Sequence, residues 1–183
     1  MKKRNLAFID LETTGLNPTR QEIIEVGCVV VRQVPTIGRG AKLEIISEFD
    51  SKVKPEHLET AEPEALRING YNDADWLFAA SLEQAMKVLV EKTEDAIMIS
   101  HNITFDWSFL QSAFAKTKLV NKMSPVRLDL MSMAFAKLYH RETVQRFNLK
   151  ALSDYFGIKN ERAHTAMSDI KASIEIYKKL LEI

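Results

Sequence analysis

The run Phe8-Ile9-Asp10-Leu11-Glu12-Thr13-Thr14-Gly15-Leu16 constrains this chain more than any other stretch, because an apolar segment leaves the core and ends in two carboxylates two residues apart. On a strand, residues i and i+2 project from one face, so Asp10 and Glu12 present their oxygens to one point in space. Such a pair is a poor way to build a core and a good way to hold a hard dication. Thr13, Thr14 and Gly15 are expected to turn the chain sharply, with Gly15 taking a positive φ. The remaining sequence can then be searched for carboxylates that return to this strand end.

The order of elements follows from hydrophobic period and punctuation. Asn5 to Asp10 reads as a short buried strand. Glu22 to Arg32 is β-branched and apolar on both faces, the pattern of a central strand. Pro35, Gly38 and Gly40 mark a loop before Lys42 to Lys54 resumes a strand pattern, which predicts a three-stranded antiparallel meander. A polar, turn-rich segment from Pro55 to Asp75 carries at most one helical turn, at Pro63 to Ile68. Beyond it the spacing predicts helices over Ser81–Lys92, Thr104–Lys118, Asp129–Leu138, Leu149–Phe156 and Thr165–Leu181, with strands at Ala96–Ser100 and Pro125–Leu128. The class is α/β, a mixed sheet flanked by helices, in a single domain over residues 1–183.

Composition excludes several classes. With 46% hydrophobic and 27% charged residues, nothing points to disorder or a membrane partner, and the apolar stretch after Lys2, Lys3 and Arg4 is too short for a signal peptide. The single cysteine, Cys28, rules out an internal disulfide and fits a reducing, cytoplasmic compartment. Twenty-five basic residues balance twenty-five acidic ones, so no global positive field recruits a polyanion, and local charge must supply the attraction.

Two further carboxylates have suggestive positions. Asp106 follows a strand and occupies the first turn of a helix, where taken alone it reads more readily as decoration of a positive helix end. Asp169 lies early in the last helix, on the flank of the stripe Met167, Ile170, Ile174, Tyr177 and Leu181. Its small neighbours Ala166, Ala172 and Ser173 let a sheet end approach, pressing the carboxylate to the core edge, where an unpaired charge is expensive. His164 is expected on the loop just before, able to swing over the same cleft.

Together, Asp10-x-Glu12-Thr13-Thr14-Gly15-Leu16, Asn102-x-x-Phe105-Asp106-x-x-Phe109-Leu110 and His164-x-x-x-x-Asp169 resemble the three motifs of the DEDDh 3′–5′ exonucleases. The proofreading epsilon subunit of bacterial DNA polymerase III, ribonuclease T and oligoribonuclease belong to that family. The resemblance runs from Leu6 to about Leu181 and implies a ribonuclease H-like fold with a five-stranded mixed sheet. It implies that Asp10, Glu12, Asp106 and Asp169 hold two divalent metal ions, Mg²⁺ with Mn²⁺ able to substitute, and that His164 is the general base. The implied reaction releases nucleoside 5′-monophosphates from the 3′ end of a nucleic acid. Thr13, Thr14 and Leu16 would hold the terminal nucleotide, with Leu16 as a wedge, while Asn102 and Phe105 line the groove.

Several readings stay open at this stage. Single-stranded DNA is favoured as substrate, with an RNA-directed exoribonuclease as the alternative, since no motif encodes a pocket for the 2′-hydroxyl. A subunit whose main role is to bind a DNA polymerase is the other alternative, and a homodimer is a further possibility. Phe105 serves a core as readily as a substrate groove. His57, His101 and His140 read as surface or hydrogen-bonded structural residues, Glu25 as a buried supporting group or a salt-bridge partner, and Asp129 as a helix N-cap.

Overall fold

The computed structural model describes residues 4–35, 41–159 and 165–183. Five strands form one sheet in the order β3-β2-β1-β4-β5. Strands β1 (Leu6–Thr13), β2 (Ile23–Pro35) and β3 (Ala41–Lys52) make the expected antiparallel meander. Strands β4 (Ile97–Ser100) and β5 (Arg127–Asp129) lie parallel to β1, so the sheet is mixed. The helices are α1 (Pro63–Asn69), α2 (Leu82–Lys92), α3 (Ile103–Thr117), α4 (Leu130–Leu138), α5 (Leu149–Phe156) and α6 (Ala166–Glu182).

Local chemistry sets the helix limits. Ser81 and Gln84 close a capping box at the start of α2, and Asn148 accepts the Ala151 amide at the start of α5. Gly157 ends α5 in the left-handed region at φ 69°, where a Cβ would be strained, and Gly70 does the same for α1. Asp129 caps α4 through the Ser132 amide and also accepts the Ile103 amide, so one carboxylate ties the starts of α3 and α4 together.

The two-residue period of β1 divides the core into two layers. Ala7, Ile9 and Leu11 face α2 and α3, packing with Val26, Cys28, Met86, Leu89 and Phe109. Leu6 and Phe8 face the other way, with Val29, Ile99, Leu130, Leu152, Ile170 and Tyr177 beneath α4, α5 and α6. Asp10 and Glu12 continue the second register, so the strand carries its carboxylates onto the face covered by α6. Strand β2 likewise buries apolar side chains on both faces of the sheet, which is why it has no polar alternation.

Three details differ from the sequence reading. The first strand does not stop at Asp10 but continues to Thr13, with its pairing to β2 irregular between Glu12 and Thr13. Gly15 does not take a positive φ; instead a Cβ there would meet Gln21 Cγ at 2.6 Å and Glu62 Cδ at 2.9 Å, so close packing explains the glycine. The segment from Pro55 to Asp75 holds a 3₁₀ turn at Leu58–Thr60 as well as α1, and the loop beyond is anchored by Trp76, whose Nε1 donates to the Ile24 carbonyl at 2.9 Å.

Candidate active site

The C-terminal end of β1 gathers carboxylates from three elements. Asp10 and Glu12 come from β1, and Asp169 comes from the first turn of α6; these three each place an oxygen within 4.8 Å of the others. Helix α6 can approach this closely because Gly27, the cross-strand partner of Asp10, has no side chain. A Cβ on Gly27 would lie 2.8 Å from Ile170 Cδ1 and 2.9 Å from Ala166 Cβ. Glu25, opposite Glu12, fastens the same helix end by accepting the Ala166 amide at 2.9 Å. Its role is therefore support of a helix N-terminus, where a carboxylate is favoured by the orphan amides and the dipole.

Asp106, on α3, reaches the site from the other layer. Strand β4 pairs with β1 only as far as Phe8 and Ile99; beyond that point the Leu11 amide donates to Asp106 Oδ1 at 3.1 Å. Asp106 Oδ2 accepts from the Ser100 hydroxyl. The residue is 2% exposed and stands outside the group of three whose oxygens converge. A carboxylate offers about four lone-pair positions, and these two hydrogen bonds leave others available.

The electrostatics of the cluster are one-sided. Burial, then the charges of Asp106, Asp169, Glu12 and Glu25, hold the Asp10 carboxyl well above the usual carboxylate range. Glu12 is pushed up to about 8 by burial first and by Asp169, Glu25 and Asp106 after it. Asp106 rises to about 7 through burial, although the Ser100 and Leu11 hydrogen bonds pull it down. No cationic side chain is among the causes acting on Asp10 or Glu12. An all-oxygen donor set under mutual repulsion fits a hard divalent cation, which replaces the repulsion with attraction.

The remaining predicted residues are placed unevenly. His164 lies outside the described residues. Thr13 and Thr14 are buried, and their hydroxyls serve the turn: Thr13 Oγ1 donates to the Gly15 carbonyl at 2.7 Å, and Thr14 Oγ1 accepts the Glu22 amide at 2.8 Å. Leu16 stands 74% exposed at the tip of the same turn. Asn102 is exposed, with a left-handed backbone at φ 65°, and Phe105 is half-buried against Phe109 with ring centroids 5.0 Å apart. A groove of about 550 Å³ lies between Glu25, Asp50, Lys52 and the start of α6.

Other residues bear out or depart from their sequence readings. Asp129 is the N-cap expected of it. His101 is neither exposed nor hydrogen-bonded: its ring nitrogens are closed off from solvent without a partner among the described residues. Burial lowers its pKa, with Asp129 opposing, and the Phe147 main chain comes up to the ring without the geometry of a full hydrogen bond. Ser100 and Gly27 carry no signal in the sequence that marks them as parts of the site. For Glu25 the signal is a charged residue inside an apolar central strand, and its hydrogen bond to α6 decides between the two roles open to it.

The fold is a ribonuclease H-like α/β domain that carries a cluster of converging carboxylates at the end of β1. The exonuclease family model RNase_T matches residues 7–177, and the chain belongs to this family of 3′–5′ exonucleases. Among proteins of similar sequence, the PolC-type DNA polymerase III of Caldanaerobacter subterraneus subsp. tengcongensis is 28% identical over 173 residues, covering 94% of this chain and 11% of the polymerase. The PolC-type DNA polymerase III of Streptococcus sanguinis is 30% identical over 164 residues, covering 90% and 10%. The chain thus spans about a tenth of the length of these relatives. In fold it is similar to E. coli Exonuclease I in complex with a dT13 oligonucleotide, with TM-score 0.78 and 18% identity, over 97% of this chain and 41% of that one. The zinc-bound form of an E. coli Exonuclease I complex with single-stranded DNA gives TM-score 0.76 and 19% identity, over 97% and 40%. No helix among the described residues is long and apolar enough to cross a membrane.

Proposed function

We propose that this domain is a metal-dependent 3′–5′ exonuclease that removes nucleoside 5′-monophosphates from single-stranded DNA. The observation that carries the reading is the convergence of Asp10, Glu12 and Asp169 oxygens within 4.8 Å, where every charge acting on Asp10 is negative. Asp10, Glu12 and Asp169 would hold two divalent ions, with Asp106 contributing lone pairs not used by Leu11 and Ser100. Mg²⁺ is the favoured ion and Mn²⁺ its substitute, and when bound such ions polarise a phosphodiester and lower the pKa of a water. His164 is the general base of this reading, since an ordinary histidine with a pKa near 6.5 suits removal of that water's proton close to neutral pH. Leu16, exposed at the turn, would wedge against the terminal nucleotide, and Asn102 and Phe105 would border its neighbour. Because Thr13 and Thr14 spend their hydroxyls on the turn, their contribution is to hold Leu16 and the main chain in place.

Single-stranded DNA is preferred over RNA because structures of the same fold carry it, as in the dT13 complex of Exonuclease I. The PolC-type relatives favour a setting beside a DNA polymerase, and a single cysteine, Cys28, favours a reducing, cytoplasmic one. The test is a gel time course with 5′-labelled DNA and RNA single strands of matched sequence, in Mg²⁺, Mn²⁺ and chelator, with Asp10→Ala as control. A metal-dependent ladder shrinking from the 3′ end, faster on DNA, is expected. Faster RNA cleavage would reverse the sugar preference, and activity in chelator or in Asp10→Ala would defeat the metal mechanism.

A further inference from the structure

The chain as a whole is neutral, yet the stretch from the end of α4 to the start of α5 is not. From Lys137 to Lys150 it carries Lys137, Arg141, Arg146 and Lys150 against Glu142 alone. Lys150 is paired with Asp154 at 2.8 Å, whereas Lys137, Arg141 and Arg146 are exposed and form no ion pair among the described residues. Many other surface cations are partnered, as in Arg4–Asp95, Lys87–Glu83 and Lys178–Glu175. An unpaired basic run is more often simply solvated, so a second observation is needed.

That observation is a row of aromatic rings beside the cations. The Phe147 ring lies 5.2 Å from Phe135, and Phe135 lies 4.6 Å from Tyr139. Exposure rises along the row: Phe147 is half-buried, Phe135 is 47% exposed and Tyr139 is 71% exposed. Its inner end reaches the rim of the acidic site: the Phe147 main chain comes up to His101, which follows Ser100, the residue whose hydroxyl donates to Asp106. Asp129 fixes the start of α4 to the Ile103 amide on the same rim. Nine residues of α4 then extend the surface by about 13 Å, a few nucleotides of strand.

We infer that Phe135, Tyr139, Arg141 and Arg146 form a binding surface for the single-stranded nucleic acid 5′ to the residues being removed. Exposed rings offer stacking faces to bases of any sequence, and guanidinium groups track the phosphates. This surface would give a neutral domain its grip on a polyanion and make long strands better substrates than short ones. It rests on the exonuclease reading but is tested by binding as well as by turnover.

The experiment compares wild type, Arg141→Ala/Arg146→Ala and Tyr139→Ala, all changes at exposed positions. Fluorescence anisotropy is measured in chelator with a labelled single strand of about fifteen nucleotides, and kcat/KM in Mg²⁺ is measured for that strand and a trinucleotide. The double variant is expected to bind the long strand about tenfold more weakly, with the slope of log affinity against log salt reduced by about 1.4, or about 0.7 for each phosphate no longer neutralised. The ratio of long-strand to trinucleotide kcat/KM should fall in parallel. Failure of wild type to bind the long strand, unchanged binding and salt slope in the variants, or equal loss on both substrates would each overturn the surface. A wild type that binds the strand and cleaves nothing would instead sink the exonuclease reading while leaving this one standing.

Discussion

Asp106 Oδ1 accepts the main-chain amide of Leu11 at 3.1 Å, fastening the carboxylate of α3 to the strand position between Asp10 and Glu12. Two acidic residues of one cluster therefore differ in what they do for the fold. Asp106 satisfies a buried amide, whereas Asp10 is surrounded by burial and like charge.

Substitution at these two positions should separate activity from stability. Both Asp10→Ala and Asp106→Ala are expected to abolish turnover. In chelator, Asp10→Ala should raise the melting temperature by removing a repelling group, while Asp106→Ala should cost about 1–3 kcal/mol by leaving the Leu11 amide unpaired. Thermal melts of the two variants in chelator check this; a fall for Asp10→Ala would contradict the electrostatic account.

Metal and pH should act on stability through the same groups. Glu12 sits at about 8 in the folded chain against an ordinary 4.5, so between those values the folded state holds a proton that the unfolded chain has released. Stability is therefore full below about pH 4.5, falls as pH rises towards 8, and levels off above it. Asp10 and Asp106, also raised, act in the same direction. Without metal, a loss of a few kcal/mol, or roughly 5–10 °C in melting temperature, is expected between pH 5 and pH 8. Added Mg²⁺ should restore more at pH 8 than at pH 5. A metal increment independent of pH would refute the coupling.

The seating of α6 depends on Gly27 and Glu25. Gly27→Val forces its new side chain into Ala166 and Ile170 and is expected to cost about 1–3 kcal/mol and most of the activity, as Asp169 moves away from Asp10. Glu25→Gln keeps an acceptor for the Ala166 amide and should retain more activity than Glu25→Ala, which leaves that amide without an acceptor and costs about 0.5–2 kcal/mol. Urea titration alongside Mg²⁺-dependent turnover distinguishes them, and equal effects of Gln and Ala would remove the capping role.

His164→Ala should leave the melting temperature gain from Mg²⁺ intact while slowing turnover by roughly 10²–10⁴, the usual effect of removing a general base. Disappearance of the Mg²⁺ gain would reassign His164 as a ligand.

What the sequence by itself determined was local and periodic. The i, i+2 spacing of Asp10 and Glu12 placed both on one face of β1, and Ser81, Asp129 and Gly157 marked helix ends through chemistry confined to a few neighbouring residues. Motif order was enough to nominate Asp106 and Asp169, but the hydrogen bonds that seat their elements were beyond reach, since Leu11 is 95 residues from Asp106 and Glu25 is 141 from Ala166. Those pairings exist only because β4 stops short of Leu11 and α6 lies against Gly27. The tertiary structure likewise turned Thr13 and Thr14 inward and lined Phe147, Phe135 and Tyr139 into one row from the cleft rim. Spacing along a chain determines which face a side chain takes, while its surroundings are decided by packing between segments distant in sequence.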